Sequence, residues 1–112
     1  MGALSRRKGA HFERELVHVF AEVFGTERVR RGLQYRDGAE CPDVIAPGLW
    51  VEAKVGKLTN PRAAIRQAVD ASAGKGLLPV AVSKDDRTEP LVTMRLDDFV
   101  DLLREWWTAR KP

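Results

Sequence analysis

A chain of 112 residues fits one domain, expected to span 1–112, and leaves little room for a second. Apolar residues make up 44%, enough for a real core, yet no apolar run approaches the ~20 residues of a membrane span. The net charge of +3 is modest and by itself says only that anionic partners are tolerated. Its distribution says more. Arg6, Arg7 and Lys8 sit together, and Arg28, Arg30, Arg31 and Arg36 crowd one stretch. A solvated face explains either run taken singly about as well as a ligand does. Cys41 is the only cysteine, which excludes an intramolecular disulfide and fits a reducing, cytoplasmic setting. His11 and His18 fall in a helical segment with nothing tying them to Cys41, so a catalytic thiol is not expected. The N-terminus shows no apolar h-region of a secretory signal.

In chain order, the first element is a helix from about Gly9 to Phe24. Phe12, Leu16, Val19, Phe20 and Val23 recur at helical spacing, and Gly25 is a stop signal. Arg28 to Leu33 reads as a short strand, and the polar stretch with Asp37-Gly38 as a loop. Asp43 to Ala46 follows Pro42 as a strand. Pro47-Gly48 turns the chain into a second strand, Leu49 to Val55, which suggests a hairpin. Asn60-Pro61 is a strong helix start, a capping residue followed by proline at the first helical position. That helix runs to about Ala73, before Gly74 and Gly76. Leu78 to Ser83 is an apolar strand, Lys84 to Glu89 a charged loop, and Leu91 to Arg95 a last strand. Asp97 can cap a final helix with Phe99, Leu102, Leu103 and Trp106 on one face. The order α-β-β-β-α-β-β-α, with a β-α-β crossover at its centre, predicts an α/β fold: a mixed sheet flanked by helices.

The second hairpin strand concentrates the chemistry. Strand alternation puts Val51, Ala53 and Val55 on one side, and Trp50, Glu52 and Lys54 on the other. A salt bridge on a solvated face would explain Glu52 and Lys54 equally well. Hairpin pairing, however, brings Asp43 near Glu52. Two carboxylates held close repel unless a cation lies between them. Magnesium suits such a pair, since one or two carboxylates commonly hold it while water and phosphate oxygens complete it. A turn or cap role is the plain alternative for Asp43. On the first helix, Glu13 falls inside the apolar arc, between Phe20 and Phe24. A carboxylate there needs a partner: Arg30 or Lys54 for structure, or a metal for function.

These residues are similar to a known signature. Pro42-Asp43, then eight residues, then Glu52-Ala53-Lys54 resembles the PD-(D/E)xK nuclease motif. The run from Lys8 to Leu16 resembles the opening helix of archaeal-type and phage Holliday junction resolvases. There the first glutamate is an active-site acid, here Glu13. Val29-Arg30-Arg31 resembles the strand edge that carries a functional arginine, for which Arg30 is the better match. The similarity covers roughly Arg7 to Ser83. The stretch from Gly32 to Cys41 departs from any resolvase loop. Gln67 resembles a glutamine that follows the motif lysine in several such nucleases, with an ordinary helix residue as the plain alternative.

The resemblance implies a restriction-endonuclease-like sheet and a metal-dependent DNA endonuclease, in the first place a structure-selective Holliday junction resolvase. Asp43, Glu52 and the Ala53 carbonyl would hold Mg²⁺, with Mn²⁺ as a substitute. Glu13 would bind or orient a second metal or its water, and Lys54 would orient and help deprotonate the attacking water. Arg6, Arg7, Lys8, Arg30, Arg31 and Arg36 would contact the phosphates of branched DNA, with Lys57 and Lys75 as weaker candidates. Cutting two strands related by a two-fold axis implies a homodimer. Trp106 and Trp107 are adjacent on the last helix: either one is exposed or at an interface, or one is core and one packs on a neighbouring element. The setting would be a bacterial, archaeal or phage-infected cytoplasm. Three alternatives remain: another nuclease of this superfamily (nicking, flap or restriction-like), a non-catalytic DNA-binding module on the same fold, or a protein-interaction domain using the Trp106–Trp107 helix, which leaves Asp43, Glu52 and Lys54 unexplained.

Overall fold

The computed structural model describes residues 2–32 and 40–112. Arg36, the Asp37-Gly38 loop and the predicted strand end at Leu33 lie outside the described residues.

Helix α1 runs Ala3–Phe24, starting six residues before the periodicity does. Residues 3–8 are exposed, so they carry no apolar stripe to detect, yet Ala, Leu, Arg and Lys all favour helix. Gly25 ends it at φ 95°, and its N–H donates to the Ala21 carbonyl at 2.8 Å. That left-handed conformation is one glycine adopts without strain. A single 3-10 turn, Thr26–Arg28, then takes up Arg28, expected to open the strand. Strand β1 is left as Arg30–Arg31 alone.

Strands β2 (Val44–Ala46) and β3 (Leu49–Gly56) form the predicted hairpin, with Val44 opposite Val51. Helix α2 (Pro61–Ser72) is capped as expected, the Asn60 side-chain oxygen accepting the Ala63 N–H at 3.0 Å. It crosses over to β4 (Leu78–Asp85), which runs parallel to β3 with Glu52 opposite Ala81. Strand β5 (Leu91–Thr93) is antiparallel to β4 and forms the sheet edge. The result is an α/β fold with a five-stranded mixed sheet in the order β1-β2-β3-β4-β5.

The two sheet faces are covered by different helices. Phe12 and Leu16 of α1 pack on Val44, Ala46, Val51, Val80 and Val82. Burial of each such aliphatic side chain contributes about 1.5–3 kcal/mol. On the other face α2 lies against β3 and β4. Its buried residues Ala64, Ala68 and Ser72 recur every four positions, and their small size lets the helix approach the strands closely.

Helix α3 (Leu96–Arg110) differs from expectation in two ways. Arg95, not Asp97, stands at its N-cap. Asp97 and Asp98 instead lie in the first turn, where negative charge suits the helix dipole. No residue of α3 is buried, and Trp106 and Trp107 are 53% and 55% exposed, so neither is a core residue. Among the described residues no helix is long and apolar enough to cross a membrane.

Candidate active site

The site grows from a backbone contact that no local pattern announces. As the chain leaves β1, the Gly32 N–H donates to the Asp43 carbonyl at 3.0 Å. A Cβ on Gly32 would stand 1.8 Å from the Pro42 carbonyl oxygen, so only glycine fits. Asp43 is thus clamped between two strands. On its other side its N–H donates to the Val51 carbonyl at 2.9 Å, which holds Asp43 against β3 with its carboxyl within hydrogen-bonding reach of Glu52.

Beyond Asp43 the ladder has no further partner for Ala53. The Asp43 carboxylate takes that place, Oδ2 accepting the Ala53 N–H at 2.8 Å. Because N–H and C=O of one strand residue point to the same edge, the Ala53 carbonyl lies on this edge too. Glu52 projects to the α2 face with Trp50, whose indole Nε1–H donates to Glu52 Oε1 at 3.0 Å. Asp43 and Glu52 are both buried, at 6% and 4% exposure.

Burial is the main reason the Glu52 carboxyl is pushed up to about 7 from its ordinary 4.5. The Trp50 hydrogen bond opposes the rise. The charge of Asp43 and a hydrogen bond with its carboxyl add to the rise, and the Lys54 ammonium opposes it. The Glu52 carboxyl therefore retains its proton to near neutrality. No ion pair joins Glu52 and Lys54, so an exposed salt bridge does not account for them.

Glu13 enters from α1 on the opposite sheet face. Its side chain is 17% exposed, and Arg31 holds Oε1 through Nε and one terminal nitrogen, both at 3.0 Å. Burial raises the Glu13 carboxyl, the Arg31 hydrogen bond opposes this, and the nearby Asp43 charge raises it again. Glu13 thus senses Asp43 while remaining tied to Arg31. Among the described residues, no group of three His, Cys, Asp or Glu side chains is arranged to hold a metal. The expected partners Arg30 and Lys54 are corrected to Arg31. Arg31 lies opposite Val44, on the α1 face, whereas Arg30 lies opposite Ile45, points the other way and is exposed.

A cleft of about 530 Å³ opens beside Glu52. Trp50 and Glu52 form its sheet side, Arg66, Gln67 and Asp70 its α2 side, and Cys41 lies at its margin. Gln67 is thus brought to the same cleft as Glu52. Lys75 instead stands over the Trp50 ring, 5.4 Å from its centre, and its Nζ donates to the Ala71 carbonyl at 3.0 Å. Arg6 and Arg7 are exposed on the first turns of α1, and Lys8 pairs with Asp86, just past β4. That pairing puts the basic run at the end of the sheet where β3 and β4 finish, the end nearer Lys54.

Sequence reasoning missed Trp50, Gly32, Arg66 and Asp70. Trp50 was legible in principle, since alternation already put it on the Glu52 face. Gly32 was not, because its constraint comes from backbone ten residues away. No family model, curated protein or solved structure matches this chain.

Proposed function

We propose that this protein is a metal-dependent DNA endonuclease that hydrolyses phosphodiester bonds, selective for four-way junctions, on a restriction-endonuclease-like sheet. One observation carries the reading: Asp43 and Glu52, buried side by side with Lys54 next on the same strand. Burying two adjacent carboxylates is costly and adds nothing to packing. Beside Asp43, burial holds the Glu52 carboxyl at about 7, so it stays protonated to near neutrality. A divalent cation relieves the repulsion between the two at higher pH.

The donor set fits such an ion. Asp43, Glu52 and the Ala53 carbonyl offer oxygen only, the choice of Mg²⁺ or Mn²⁺. When bound, the cation polarises a phosphoryl oxygen and lowers the pKa of coordinated water. The chain's own residues do the rest. Trp50 fixes the rotamer of Glu52, and the Ala53 N–H fixes that of Asp43. Lys54 shares the Glu52 face and supplies positive charge where the scissile phosphate gathers negative charge. Arg31 fixes Glu13 beside Asp43, where Glu13 can orient water. Arg6, Arg7, Lys8 and Arg30 supply phosphate contacts that carry no base information, which favours recognition by shape.

Cleavage of a labelled four-way junction, beside linear duplex and flap substrates, in Mg²⁺ and in EDTA tests this. Paired, metal-dependent nicks confined to the junction are expected, lost in Asp43→Asn while binding persists. Metal-dependent cutting of other substrates alone would overturn junction selectivity. Tight binding by the wild-type protein without cutting in either ion would overturn the nuclease reading and leave a binding module.

A further inference from the structure

Helix α3 is out of place on a protein of this size. It follows edge strand β5 and packs closely on no other described element. The radius of gyration, 14.6 Å, exceeds the roughly 13 Å of a compact chain of this length, as a projecting helix requires. A lone helix of 15 residues is marginal in water. Its sequence is nonetheless strongly sided. Leu96, Phe99, Leu103 and Trp106 recur at alternating three- and four-residue steps, the seam of a helix pair. Leu102 and Trp107 widen that seam, and the groove continues past Phe99 to Val92 on β5.

From these observations we infer that α3 is a self-association surface, and that its partner is α3 of a second copy of this chain packed antiparallel about a two-fold axis. Charge selects both the partner and the direction. Three carboxylates, Asp97, Asp98 and Asp101, occupy the first half of the helix. The second half holds Arg104 and Arg110 against the single acid Glu105, with Lys111 just past its end and Arg95 just before the first half. Antiparallel packing sets the acidic half of each helix toward the basic half of the other, and it opposes the helix dipoles. Parallel packing sets acid against acid and base against base. The existing pairs Arg95–Asp98 and Arg104–Asp101 are exposed and hold their charges only weakly in place. Arg110 and Lys111 lie over the Trp106 and Trp107 rings, 4.7 Å and 6.0 Å from the centres.

The area available falls within the range of stable interfaces, about 600–1,000 Å² per partner. Every apolar side chain of the seam, with Trp107 and Val92, is 40% exposed or more. Side chains of roughly 150–250 Å² at those exposures present at most about 750 Å² per protomer. A standard stable interface buries about 800 Å² per partner. This inference stands on α3 alone and survives if the nuclease reading fails. If both hold, the pair presents two clefts to one junction.

Sedimentation of the full chain at micromolar concentration tests it. The wild-type protein is expected to run at twice its chain mass. Leu103→Arg and Trp106→Glu, both on the exposed apolar side of α3, are expected to weaken self-association by about thirtyfold or more while the melting of the core is retained. Direction is read in a Cys41→Ser background. Leu102→Cys, near the midpoint of the seam, cross-links to itself, and Leu96→Cys, at its end, does not. A monomeric wild-type protein, or a dimer that persists in both surface variants, would overturn the inference. Self-cross-linking at both cysteine positions would overturn the antiparallel arrangement.

Discussion

Replacing Glu52 by glutamine separates a site built for a cation from one built for stability. The glutamine oxygen still accepts the Trp50 N–H, and its amide can donate to Asp43 in place of the protonated Glu52 carboxyl. What disappears is the ionisation. A carboxyl held at about 7 rather than 4.5 retains its proton longer in the folded protein than in the unfolded one. Its contribution to stability is therefore fully present below about pH 4.5 and is lost as pH rises through about 7. At about 1.4 kcal/mol per pH unit, the loss reaches about 3 kcal/mol in mildly alkaline solution. In metal-free buffer Glu52→Gln should then stabilise the protein by up to that amount near pH 9 and by almost nothing near pH 5. For a domain of this length that is roughly 10 °C in melting temperature. Thermal unfolding followed by circular dichroism across that range, with EDTA present, reads it directly. Added Mg²⁺ should raise the wild-type melting temperature at high pH and leave the variant unmoved. Junction cleavage should vanish in the variant that is the more stable. A variant equally or less stable than wild type at both ends of the range would refute the reasoning, because the burial cost assigned to Glu52 would not exist.

Gly32→Ala should destabilise by about 1–3 kcal/mol in urea titration, because its methyl group meets the Pro42 carbonyl, and Mg²⁺ binding by calorimetry should weaken with it as Asp43 shifts. Trp50→Phe removes the indole donor that opposes the rise at Glu52. The pH at which metal-free stability falls away should therefore move upward, and at alkaline pH the variant should lose about 1–3 kcal/mol. Asn60→Ala should cost about 1 kcal/mol through its lost cap, with the urea m-value and junction cleavage both unchanged.

Much of this protein was legible in its order of residues. Periodicity located α1, turn signals the hairpin, its capping start the crossover helix, and an unbroken apolar run β4, which is buried on both faces. Asn60-Pro61 marked the start of α2 to the residue, since capping is a local hydrogen bond. Alternation along β3 put Glu52 and Lys54 on one face, and the hairpin brought Asp43 near Glu52. Helix α1 was read six residues short, because its first turns are polar and carry no period. Asp97 was misread as a cap, because the same residue type suits both the cap and the first turn.

The rest depended on contacts between distant parts of the chain. That Arg31 rather than Arg30 holds Glu13 follows from which face β1 turns toward α1, a choice fixed by its pairing with β2. That Gly32 must be glycine follows from the Pro42 carbonyl arriving against it. That Glu52 is buried enough to keep its proton near neutrality depends on α2 closing over β3. The sequence carries patterns that local hydrogen bonds and the avoidance of water can read. Burial, clamping and charge coupling between α1, β2, β3 and α2 exist only once the chain has brought those elements together.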